Sequence, residues 1–235
     1  CKQQRIIAGR DKLYSVIAHD LRSPMGSIKM VLNMLMLNLP VEKIGGEMYE
    51  LLTMANRTTE DVFSLLDNLL KWTKSQIGNL NVVYQDVDAV EVVDSVIDVF
   101  NMVAGLKKIT IREEKPEKLP VCTDIDMLKT IIRNLLSNAI KFSNENSEVL
   151  VKMEEQGDTV VVSVKDSGCG IDEEGQQKLL HTDTHFSTFG TNNEEGSGLG
   201  LLLCQDFAVK IGGKLWFTSK EGEGSTFYFS IPLKK

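Results

Sequence analysis

Apolar residues recur along the first third of the chain at helical spacing. Ile6, Leu13, Ile17, Leu21, Ile28, Leu32, Leu35 and Leu39 fall mostly three, four or seven residues apart, so one side of a long helix is apolar. Leu39-Pro40 and Gly45-Gly46 interrupt the pattern, which resumes at Met48, Leu52, Ala55, Val62, Leu66, Leu69 and Thr73. The spacing predicts a helical hairpin, all-α, as a first domain over residues 1–79. Such a hairpin offers two long stripes and one partner helix, leaving apolar surface wet unless a second copy covers it as a homodimeric four-helix bundle. Packing on the rest of the same chain is the alternative.

After Ile77-Gly78-Asn79 the pattern changes, and a second domain over residues 80–235 is predicted. Residues 89–106 read as helix, and Thr123-x-x-Asp126 resembles a capping box opening an apolar-periodic helix through Ile140. Val149-Leu150-Val151 and Val160 to Val164 read as strands joined through Gln156-Gly157-Asp158. Lys214 to Ser219 and Ser225 to Ile231 read as a second hairpin around Glu221-Gly222-Glu223-Gly224. Hairpins interleaved with helices imply a mixed sheet covered on one face, an α+β sandwich.

Composition narrows the classes. The chain has 235 residues, 42% of them hydrophobic, enough to bury the cores of two modest domains. A formal charge of -7 and a pI near 5.1 argue against a nucleic-acid or anionic-membrane binder. Cys1, Cys122, Cys169 and Cys204 are far apart, without a Cys-x-x-Cys pair, and read as reduced thiols. No apolar run approaches the ~20 residues that span a bilayer, and the N-terminus lacks signal-peptide features. A soluble fragment fits, as does a truncated membrane receptor.

Three patches in the second domain ask for a phosphate ligand. Asn134 and Asn138 are four apart, with Lys141 three further on the same helix face. Amide oxygens can bind a hard cation such as Mg²⁺, and the lysine can pair with a phosphate. A solvated surface would read the same way. Asp166-Ser167-Gly168-Cys169-Gly170 follows a strand, where a carboxylate and flexible glycines can hold a purine amino group, or simply end the strand. Gly196-Ser197-Gly198-Leu199-Gly200-Leu201 leads into an apolar helix running to about Ile211, with backbone N–H groups and the helix N-terminus available to an anion. This loop follows no strand and precedes no lysine-threonine pair, which separates it from Rossmann and Walker loops.

In this order and spacing the patches resemble the catalytic domain of histidine kinases, within the Bergerat-type ATP-binding group that includes gyrase and the heat-shock chaperone. The resemblance implies that Asn138, assisted by Asn134, coordinates Mg²⁺ and that Lys141 reaches a phosphate. It also implies that Asp166 binds the adenine amino group, with Gly168 and Gly170 in the turn beside it, and that Gly196, Gly198, Leu199 and Gly200 wrap the phosphates of ATP. Gly222-x-Gly224-Ser225-Thr226-Phe227 matches the family's last glycine box, with Thr226 expected beside the adenine pocket. Between Asp172 and Gly196 would lie the lid; Phe186 stands where the family carries a phenylalanine box, although Phe-x-Pro-Phe is absent. His181 and His185, four apart, lack a third ligand for a metal site.

His19-Asp20-Leu21-Arg22-Ser23-Pro24 falls within the first helix, with His19 off the apolar stripe. Pro24 removes the hydrogen bond to the Asp20 carbonyl and bends the helix, at a cost near ~3 kcal/mol. The segment matches the histidine-kinase phosphoacceptor box. The resemblance implies that His19 attacks the γ-phosphate of ATP while Asp20 takes its other ring proton, and that Ser23 stands where phosphatase-competent relatives place Thr or Asn. It further implies a response-regulator receiver aspartate as acceptor, docking near Ser27 to Leu35, a hinge at Ile77-Gly78-Asn79, and a cytoplasmic portion of an inner-membrane receptor whose sensor region is not included. Two rivals remain. A gyrase- or chaperone-type ATPase carries a glutamate where this chain has Asn134, and a non-catalytic scaffold keeps the fold without chemistry.

Overall fold

A computed structural model describes residues 21, 24–38, 45–76, 81–179, 191 and 199–233. The chain divides into two compact units, one ending at Asn81 and the other spanning Val82–Lys235.

In the first unit, α1 covers residues 24–38 and α2 covers Gly46–Gln76. The two helices meet near the base of the hairpin, where Met25 packs with Val62 and Leu69 against the buried Leu66 and Leu70. Gly26 faces the Phe63 ring, and the Lys29 ammonium lies 5.5 Å from its centroid. Further along, Ile28, Met30, Val31, Met34 and Leu37 of α1 and Met48, Leu51 and Met54 of α2 stay exposed. The hinge expected at Ile77-Gly78-Asn79 lies outside the described residues.

The second unit is the expected layered arrangement. Its elements are β1 (Gln85–Asp88), α3 (Ala89–Leu106), β2 (Thr110–Glu114), β3 (Pro120–Thr123), α4 (Ile125–Phe142), β4 (Glu148–Gln156), β5 (Thr159–Lys165), α5 (Glu173–Lys178), α6 (Leu199–Lys210), β6 (Leu215–Lys220) and β7 (Gly224–Pro232). A five-stranded sheet runs in the order β2-β4-β5-β7-β6, and β1 pairs with β3 in a separate two-stranded ribbon. β2 and β4 are parallel; the other pairs in the large sheet are antiparallel. Strand alternation sends Val149, Val151, Met153, Val160, Val162, Val164, Phe227, Phe229 and Ile231 to one buried face. There they meet α4, which also packs on α3 and α6.

The caps explain where the helices start. Asp88 Oδ1 accepts from Val90 N and from Leu119 N, each at 3.0 Å, so one carboxylate opens α3 and ties it to the chain before β3. The cap of α4 is Asp124 and not Thr123: Asp124 Oδ1 accepts from Asp126 N and Met127 N, each at 3.0 Å. Thr123 is instead the last residue of β3, paired with Gln85. Three short strands, β1 to β3, and the six-residue α5 were not anticipated from the sequence.

Candidate functional site

The buried side of α4, with Leu128, Ile131, Ile132, Leu135 and Leu136, fixes its rotation on the sheet. That leaves Asn134, Asn138 and Lys141 half-buried along one flank. Asn134 Nδ2 donates to the Thr130 carbonyl at 2.9 Å, which turns the carboxamide oxygen outward, toward α6. There it meets Gly200: a β-carbon at that position would lie 2.5 Å from Asn134 Oδ1, so the approach needs a glycine. A neutral oxygen donor so oriented, with the second carboxamide of Asn138 one turn further on, suits a hard divalent ion that keeps water and phosphate in its shell. Among the described residues no cluster of three His, Cys, Asp or Glu side chains could hold a metal without such help.

Asp166 follows β5 and is 4% exposed. Its Oδ1 accepts from Gly168 N at 2.9 Å and Ser225 N at 3.2 Å, and its own N–H donates to the Ser225 carbonyl at 2.9 Å. Burial pushes this carboxyl above the ordinary aspartate range, and the two backbone donors only partly hold it down. Oδ2 makes no hydrogen bond among the described residues, leaving an oriented acceptor at the rim of a buried turn. Gly168 completes the turn by lying flat on the end of α4, where a β-carbon would sit 2.1 Å from the Phe142 carbonyl oxygen. Gly170, at φ +66°, rests against the Lys220 carbonyl.

Thr226 does not stand beside Asp166. On β7 it alternates with Ser225 and Phe227, and it pairs with Lys165 and Thr218 on the opposite face of the sheet, the face that carries the stacked Trp216 and Tyr228. Ser225 takes the place expected of it: buried, bonded through its backbone to Asp166, and with Oγ 2.8 Å from Ser219 Oγ, which itself accepts from Ile171 N at 2.9 Å. Parity would have found it, because Phe227, Phe229 and Ile231 face inward and Ser225 shares their register. Reading the sequence also missed Ser219, Lys107 and Thr191.

His19, Asp20, Ser23, His181, His185, Phe186, Gly196 and Gly198 lie outside the described residues. Leu199 opens α6, and Gly200 follows it. The structure therefore brings together Asn134 and Gly200 on one side, and Asp166, Gly168, Gly170 and Ser225 on the other, with the end of α4 between them.

Residues 123–235 match the family described as histidine kinase-, DNA gyrase B-, and HSP90-like ATPases. The solved catalytic domain of histidine kinase ThkA is 31% identical and superposes with a TM-score of 0.56, covering 64% of this chain and 96% of that one. This chain belongs to the histidine kinases. Curated relatives of this histidine kinase include the adaptive-response sensory kinase SasA of Prochlorococcus marinus, 31% identical over 97% of the chain and 58% of the relative. The SasA of Crocosphaera subtropica is 29% identical over 95% of the chain and 59% of the relative. The histidine kinase thus spans under three fifths of the length of these relatives. The sandwich is the ATP-binding fold of the family, preceded by a helical unit. Relatives named as kinases leave the gyrase- or chaperone-type alternative unfavoured. Among the described residues no helix is long and apolar enough to cross a membrane.

Proposed function

We propose that this histidine kinase binds Mg-ATP between α4, the Asp166 turn and the start of α6, and transfers the γ-phosphoryl group to His19. The observation that carries this reading is the pair of oriented oxygens on either side of the end of α4: Asp166 Oδ2 at the buried turn and Asn134 Oδ1 facing Gly200. The first suits the amino group of adenine, and the second, with Asn138, suits a magnesium ion. That ion, when bound, neutralises charge on the phosphates. Lys141 pairs with a phosphate oxygen, and the Gly196, Gly198 and Gly200 segment offers its backbone N–H groups. One nitrogen of the neutral His19 ring attacks the γ-phosphorus, ADP departs, and the proton on the other ring nitrogen passes to Asp20.

The phosphoryl group then moves to an aspartate of a response-regulator receiver domain, and Ser23 orients water if the chain also removes phosphate from that partner. The exposed apolar residues of α1 and α2 support a homodimeric four-helix bundle, since a second copy would cover them. In the whole protein this core is the cytoplasmic portion of an inner-membrane receptor.

The test is incubation with γ-labelled ATP and magnesium, followed by acid and base treatment. Label that survives base, is lost in acid and is absent from His19→Ala is expected. A wild-type chain that takes up no label on His19 overturns the proposal.

A further inference from the structure

The end of α4 is held by a side chain from a different part of the unit. Lys107 directly follows α3, where its backbone N–H donates to the Ala104 carbonyl and closes that helix. It is 7% exposed. Its ammonium reaches across to α4, donating to the carbonyls of Ile140 at 3.0 Å and Lys141 at 2.8 Å, and to Thr191 Oγ1 at 2.6 Å. Thr191 closes the ring from the other side. Its N–H donates to the Lys141 carbonyl at 3.2 Å, and its hydroxyl lies 2.8 Å from the Ser143 carbonyl and 3.1 Å from that of Lys141.

The last carbonyls of any helix lack intrahelical partners, and a cation there meets the negative end of the helix dipole. Water or a glycine cap serves the same purpose at most helix ends, and burying an ammonium is costly unless it is hydrogen-bonded. The placement of this one gives it a use. Lys141 belongs to the last turn of α4, Asn138 stands one turn before it, and the Phe142 carbonyl is the surface on which Gly168 lies. Ser143 N caps the Ala139 carbonyl at 3.0 Å and completes the same knot. The buried ammonium thus clamps the point where the phosphate-facing helix, the base-facing turn and the chain five residues before Gly196 come together.

We propose that Lys107 is a positioning residue for the nucleotide phosphates, acting through the Lys141 carbonyl and Thr191 without touching the ligand. The proposal rests on the nucleotide reading above. It predicts a loss confined to the phosphate end of the ligand, whereas a cap needed only for stability would leave both ends equally affected or both intact.

The experiment compares Mg-ATP with adenosine by calorimetry on the full chain, since adenosine carries the base and sugar alone. Lys107→Met should weaken Mg-ATP at least tenfold and leave adenosine within twofold of wild type. Thr191 is exposed, so its variants test the same linkage where Lys107→Met does not fold. Thr191→Val should weaken Mg-ATP at least threefold with adenosine unchanged, and Thr191→Ser, which keeps the hydroxyl, should bind as wild type does. A lowered melting temperature with unchanged Mg-ATP affinity in Lys107→Met overturns the proposal, as does equal weakening of both ligands. So does wild-type binding by Thr191→Val where Lys107→Met cannot be folded. A wild-type chain that takes neither ligand removes the nucleotide reading itself, a result seen before any variant is made.

Discussion

Asn134 Oδ1 points at Gly200 across the gap between α4 and α6, with only 2.5 Å available to any β-carbon placed there. Gly200→Ala must therefore push the carboxamide away from its present orientation. The same change adds helix propensity worth up to ~1 kcal/mol at the start of α6. Stability and binding should separate: denaturant unfolding should shift by no more than about 1 kcal/mol in either direction. Mg-ATP affinity should fall at least tenfold, about 1.4 kcal/mol. Unchanged affinity would mean that the carboxamide orientation does not matter.

Asp166 gives a pH signature. Burial raises its carboxyl above the ordinary range, so the folded state holds this proton more tightly than the unfolded chain does. The resulting stabilisation is fully present below the unfolded value and is lost as pH rises through the folded one. Asp166→Asn removes the buried charge, and the variant should flatten the decline in stability across that window. Adenine recognition runs the other way, because the acceptor is best when ionised. Nucleotide affinity should drop as pH falls through the raised Asp166 value in wild type, and Asp166→Asn should bind weakly at every pH. Calorimetric titrations across pH, paired with denaturation curves, read both trends.

Ser225 and Thr226 occupy opposite faces of β7, so their alanine variants should differ in kind. Ser225→Ala breaks the Oγ contact with Ser219 behind the Asp166 turn, at a cost of about 1 kcal/mol, and should weaken ATP at least threefold. Thr226→Ala should cost no more than about 1 kcal/mol, as strand-propensity changes do, with ATP affinity intact. Melting curves and nucleotide titrations on the two variants decide it; a reversed order would return Thr226 to the pocket.

The thiols offer a footprint that needs no mutation. Cys169 is exposed in the Asp166 to Gly170 turn, while Cys204 is wholly buried, its Sγ 3.8 Å from the Ile131 carbonyl and its thiol pushed well up by burial. Iodoacetamide should label Cys169 in the native chain and reach Cys204 only in denaturant. Saturating Mg-ATP should slow the Cys169 reaction at least fivefold. Peptide mapping by mass spectrometry checks both, and equal rates with and without nucleotide would place the ligand elsewhere.

Long, regularly patterned segments were readable from the residues alone. The helix of Asn134 and Asn138 and the hairpins β4–β5 and β6–β7 combine a clear period with turn residues at the expected places. The strands β1, β2 and β3 have only four or five residues each, too few to carry a detectable hydrophobic alternation: β1 and β2 are mostly polar, and β3 buries just Val121 and Thr123. The start of α4 slipped by one residue because Thr123 and Asp124 are both good caps, and only the pairing of Thr123 with Gln85 assigns the role to Asp124. Lys107 was illegible for another reason: its partners stand 33, 34 and 84 positions away, and no local pattern encodes such a meeting.

The contact of Gly168 with the Phe142 carbonyl makes the pocket a gauge. The turn proposed to take the purine and the helix proposed to face polyphosphate abut backbone to backbone, with no compressible side chain in between. The spacing between them is therefore set by non-bonded contact of one backbone on another. A ligand that bridges the two as proposed would be selected by its span as well as by its groups.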